Sequence, residues 1–150
     1  MIRSTIAALG FFALVALPAA ACAQGLITLD GAAVNAVPSK TTPDKITLRS
    51  FLQPGDVVAA RVSLPANTDI PPHPHPSGKV AIVTVVSGDF KVGLGDKFDE
   101  AALKTVAPGG VIVFRDTDPK HFARTGNAPV ELLLLAAPKA SVNPAWQGGK

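Results

Sequence analysis

The sequence predicts an all-β domain, a jelly roll or small barrel, on three observations. Pro and Gly punctuate the chain at short intervals, 14 and 13 of them in 150 residues, and supply turn signals throughout. Between these lie short runs rich in Val, Ile, Leu, Thr and Phe, residues that suit a pleated, half-buried surface. Only one stretch, 97–103, offers a helical candidate, and it is one or two turns long. Many short strands with almost no helix favour architectures that close or protect their sheet edges.

The elements follow in order. Arg3, the apolar run 6–17, Pro18 and a string of small residues read as a secretory signal peptide, residues 1–23. The apolar run is too short for a bilayer span of about 20 residues, so export without a transmembrane anchor is expected. Cleavage after Ala23 gives a periplasmic or secreted protein; the competing reading is a lipid anchor on Cys22. Residues 24–44 mix small, polar and proline residues and read as an N-terminal arm. The barrel is expected over 45–138, with strands at 45–51, 57–64, 79–86, 90–94, 103–106, 111–114, 121–125 and 130–137. Turns at 53–56, 87–89, 108–110 and 125–127 fit between them. Residues 139–150 read as a tail with Trp146 as its one indole, and a homodimer in which arms cover a neighbour's sheet edge is compatible with this layout.

Composition excludes several classes of function. The net charge is only +3 and the basic residues are scattered, which gives no footprint for nucleic acid. Tyrosine is absent and Trp146 stands alone, so no aromatic platform for bases or sugars is offered. Cys22 is the only cysteine, which leaves the mature domain without a disulfide, a thiolate ligand or a cysteine nucleophile. The partner these features leave is a small molecule.

The chemistry concentrates on histidine. His73 and His75 stand in a His-Pro-His-Pro run, His121 follows Asp118-Pro-Lys, and the chain has no other histidine. On a strand, residues 73 and 75 project from one face about 7 Å apart, close enough for two imidazoles to converge on one cation. The same run could equally be a stiff polyproline-like loop whose rings face water.

His73, His75 and Gly88, followed by Pro108, Gly110 and His121, resemble the two motifs of the cupin superfamily, specifically its small single-domain bacterial members. The run 85–101 is similar to a stretch found in one branch of these proteins. The resemblance spans roughly residues 55–137 and implies a cupin-type jelly-roll β-barrel, a double-stranded β-helix, as a single domain. It implies a divalent metal ion, Fe, Mn, Ni or Zn, held by His73, His75 and His121.

Two positions depart from the family pattern. Lys79 stands where the acidic ligand is expected, and Thr125 stands where Asn is common. On a regular strand Lys79 shares a face with 73 and 75, whereas a bulge at Gly78 would turn it away. An inward ammonium would repel the metal by several kcal/mol in a poorly screened barrel, so it either swings out or loses its proton and becomes a candidate catalytic base. Asp116 and Asp118 are acidic substitutes, or the carboxylates of a plain solvated turn.

Positions 81, 83 and 85 continue the inward face, and an interior cavity with three histidines, Lys79 and Thr125 as its polar groups would suit a small anionic ligand. Three functions are compatible. One is a metal-dependent enzyme, an oxidoreductase such as a dioxygenase, an isomerase or a lyase, acting on a small carbonyl or carboxylate compound. The second is a non-catalytic protein that binds a small anion or a metal. The third is a degenerate barrel used in assembly or sensing.

Overall fold

The structure, a computed structural model, describes residues 29–43, 45–52 and 55–146. The expected signal peptide and the cysteine within it lie outside the described residues. A short helix α1 (Gly31–Ala36), N-capped by the Asp30 carboxylate, leads into ten strands. These are β1 (Ser39–Thr41), β2 (Thr47–Ser50), β3 (Val58–Leu64), β4 (Asp69–His73) and β5 (Lys79–Ser87), then β6 (Phe90–Leu94), β7 (Lys104–Val106), β8 (Val111–Arg115), β9 (His121–Thr125) and β10 (Val130–Pro138). They form two antiparallel sheets, one in the order β1-β2-β3-β10-β5-β8 and one in the order β4-β9-β6-β7. The fold is a jelly roll.

Each expected strand has an observed counterpart. β1 and β4 are additions, so pairing starts at Ser39, within the stretch read as an arm. The expected helix shrinks to one 3-10 turn, Glu100–Ala102, whose N-cap Asp99 accepts a hydrogen bond from the Ala101 amide.

The core lies between the sheets and follows the two-residue period. In β5, Ala81, Val83 and Val85 face inward; in β10, Val130, Leu132 and Ala136 do so, while Leu133 and Leu135 are exposed on the opposite face. The four-stranded sheet contributes Ile70, Phe90 and Ala123. A second, smaller cluster forms on the outer face of the large sheet, where Val80 and its cross-strand partner Ala137 are covered by Val142 of the C-terminal turn.

Two glycines make this packing possible. Gly88 turns the chain from β5 to β6 at φ +90°, and a Cβ there would lie 2.6 Å from the Pro129 carbonyl oxygen. Gly93 pairs with Phe122 across β6 and β9, and a Cβ on it would lie 2.5 Å from that ring. The space Gly93 leaves lets Phe122 bury completely, with Phe98 beside it. Arg124 covers Phe98, ion-pairs with Asp69 and Glu100, and its hydrogen bonds hold the Asp69 carboxyl below the ordinary carboxylate range.

Candidate metal and ligand site

The three histidines reach one place by three routes. His73 ends β4, His121 begins β9, and the two are direct register partners. His75 lies beyond the end of β4 in the proline-rich loop, so the strand geometry that would put 73 and 75 on one face does not apply; the loop itself returns the ring to the cluster. Ring centroids are 3.9 Å apart for His73 and His121 and 4.7 Å apart for His75 and His121. Phe114, an inward residue of β8, stacks on both His121 and His75, at 4.1 and 4.8 Å. Phe114 was not among the residues the sequence singled out, although its two-residue spacing from Ile112 marks it as inward.

Hydrogen bonds define two tautomers. His73 Nδ1 lies 2.9 Å from the Pro71 carbonyl oxygen and His75 Nε2 lies 2.9 Å from the Pro119 carbonyl oxygen. A carbonyl only accepts, so these nitrogens carry the protons, and in a neutral ring the lone pair is on His73 Nε2 and His75 Nδ1. His121 Nδ1 is buried with no hydrogen-bond partner. Burial, reinforced by His73 and His75 beside it, pushes the His121 pKa down to about 3, so this ring is neutral near pH 7.

These properties fit a divalent cation in donor type, protonation state and location. Metal-bound histidines commonly donate their second nitrogen to a backbone carbonyl, as His73 and His75 do here. The ring orientation is not yet that of a closed centre. The His75 and His121 planes are 13° from parallel, and parallel stacked rings cannot aim their in-plane lone pairs at a common point. Accordingly, among the described residues no three His, Cys, Asp or Glu side chains are already set around one ion position. Capture of an ion by all three would require the rings to unstack.

No carboxylate completes the set. Asp118 accepts hydrogen bonds from the Arg115 backbone and side chain at 2.8 Å. Burial pushes its pKa up, but the Arg115 contacts outweigh this and hold the carboxyl below its ordinary value. Asp116 Oδ2 accepts from the Gly78 amide at 3.2 Å and ties the loop before His121 to the loop after His75.

The rings stand at one end of a half-open cavity of about 580 Å³, with His73 itself exposed to solvent. Its remaining lining is apolar except for Thr42, whose hydroxyl accepts a hydrogen bond from the Ile46 amide. The expectation that Lys79 and Thr125 would be polar groups of this cavity is corrected by their positions. Lys79 opens β5 at the barrel rim, half-buried, and is not part of the cavity wall. The β5–β10 ladder is regular from Lys79 onward, with its one shift at Glu131/Leu132, so no bulge at Gly78 interrupts that pairing. Thr125 is buried, but its hydroxyl donates to the Pro65 carbonyl at 2.7 Å and accepts from the Thr68 amide at 2.9 Å, which commits it to holding the β3–β4 turn.

No protein-family model matches the chain, and no curated protein matches its sequence. Solved structures do match. KdgF from Halomonas sp. is 21% identical with a TM-score of 0.56, over 69% of this chain and 90% of that one. A predicted oxalate decarboxylase from Thermotoga maritima is 15% identical with a TM-score of 0.56, over 70% of this chain and 96% of that one. The Cnp3 cupin domain of Schizosaccharomyces pombe is 16% identical with a TM-score of 0.53, over 70% and 66%. At these identities what is shared is the fold, and in fold this chain is a jelly-roll barrel of the cupin type.

Proposed function

We propose that this protein is an exported cupin barrel in which His73, His75 and His121 hold a divalent metal ion, Fe, Mn, Ni or Zn, at the end of the interior cavity. The protein then acts on a small carbonyl or carboxylate compound. The observation that carries the reading is the convergence of all three histidines of the chain on one cavity end, with two tautomers set by backbone carbonyls and one buried nitrogen left unpartnered. Export rests on the signal-like start of the sequence; no described helix is long and apolar enough to cross a membrane.

The metal would supply Lewis acidity and open coordination positions for a ligand oxygen. The protein residues do the rest. The Pro71 and Pro119 carbonyls orient the two imidazoles, burial keeps His121 unprotonated, and the apolar wall beyond the rings faces the body of the ligand. Three neutral ligands leave the ion's charge uncompensated, which favours an anionic ligand atom. Oxalate, named for one structural neighbour, has polar groups at both ends and would leave this apolar wall unused.

Binding without turnover is a second reading, favoured by the lack, among the described residues, of three ligands already set around one ion and by the stacked rings. Metal content by mass spectrometry on untagged protein from the exported fraction, beside a His73→Ala/His121→Ala variant, tests the metal. Near-stoichiometric metal that the variant loses is expected. No metal in either sample after incubation with iron, manganese, nickel and zinc would sink it.

A further inference from the structure

Three alanines line the empty space in the barrel. Ala81 and Ala136 are direct cross-strand partners on β5 and β10, Ala81 also pairs with Phe114 on β8, and Ala123 faces them from the opposite sheet. All three are buried and all three line the cavity. Packed interiors leave few voids larger than a water molecule, yet small side chains here meet small side chains where interdigitation would pair small with large. The resulting volume, about 580 Å³, lies in the ordinary range of small-molecule sites.

The lining is strongly divided. One end carries the three imidazoles, and the wall beyond is aliphatic apart from Phe90, Phe114 and the already bonded Thr42 hydroxyl. A ligand with polar groups along its length would leave them unpaired against this wall, at a cost of the order of a few kcal/mol each. The cavity wall itself carries no acidic side chain, and Asp118, near enough to act on His75, has its charge paired with Arg115.

We propose that the barrel takes an apolar-bodied monocarboxylic acid, with its carboxylate at the histidine end and its hydrocarbon body filling the chamber opened by Ala81, Ala123 and Ala136. The inference rests on the proposed function in taking the histidine cluster as the polar end, and it adds the nature of the ligand's body.

Calorimetric titration of the full chain with unbranched carboxylates from acetate to decanoate, with and without zinc, tests it. Affinity should rise about fourfold per added methylene until the chamber is full. Ala136→Leu should shorten the chain length at which the rise stops and leave zinc uptake unchanged. A cooperative thermal transition in the variant shows that it folds, which separates lost binding from lost folding.

An affinity flat from acetate to octanoate would overturn the inference, even with zinc bound stoichiometrically and the metal reading intact. A steep series in protein that takes up no zinc would support the chamber while removing the metal. Octan-1-ol binding as tightly as octanoate would overturn the carboxylate end.

Discussion

His73 and His121 are direct cross-strand partners on β4 and β9, and their ring centroids lie 3.9 Å apart at a tilt of 59°. The pairing matters because β4 is an edge strand and β9 its only neighbour in the sheet, so one ladder determines how two of the three imidazoles meet. His75 then joins through a loop anchored by its own contact to Pro119.

The buried member of this pair makes the stability of the metal-free protein depend on pH. The folded pKa of His121 is about 3 against an ordinary 6.5, so between those values the unfolded chain binds a proton that the folded chain does not. Stability should therefore be full above about pH 6.5 and fall as the pH drops toward 3. Urea midpoints for the wild type and for His121→Gln, measured from about pH 7 to pH 4, should converge as the pH falls. Parallel curves would show that His121 is not held neutral.

Gly88→Ala tests the turn that starts β6. The substitution places a Cβ 2.6 Å from the Pro129 carbonyl oxygen and 2.7 Å from Val130 Cγ2, at a φ of +90° that side chains rarely adopt. Backbone strain and a clash with buried Val130 together should cost about 2–4 kcal/mol. Chemical denaturation measures it; a change below about 0.5 kcal/mol would mean that the turn relaxes freely.

Thr125→Val separates holding the fold from lining the site. It removes the donor to the Pro65 carbonyl and the acceptor for the Thr68 amide while keeping the side-chain volume. Two groups left unpaired should cost about 1–3 kcal/mol in denaturant unfolding. Metal uptake by the folded variant should match the wild type, because the hydroxyl is outside the cavity wall.

How much of this was legible in the sequence depended on whether a feature is local. Strands such as β5 and β10 were readable because burial repeats every two residues within one run. β4 escapes a reading by pattern because Pro71 and Pro72 speak against a central strand; they are tolerated because β4 lies at a sheet edge. β1 is three exposed residues with no pattern to read. The family resemblance groups the three histidines, whereas the strand spacing of 73 and 75 does not account for their meeting, because His75 lies in a loop. The chamber was not legible, since it depends on Ala81 meeting Ala136, and Phe114 meeting two imidazoles, across strands distant in sequence. Thr125 shows the same limit: its inward position was readable, but not the Pro65 carbonyl that takes its proton.

Lys79 gives the last test, because it occupies the position where the cupin resemblance expects an acid. It lies on the inward face of β5 by alternation with Ala81 and Val83, yet it sits at the rim, makes no ion pair among the described residues and does not line the cavity. A charge in that place interacts with a bound ion through solvent, where pairs are worth at most about 1 kcal/mol. Lys79→Glu removes one such pair and adds another, so it should change zinc affinity by less than about thirtyfold, measured by competition with a chromogenic chelator. Salt should erase the difference, since screening acts on exposed charges and hardly on buried ones. A gain of a hundredfold or more that survives high salt would place residue 79 at the metal itself and return Lys79 to the list of residues that act on the ligand.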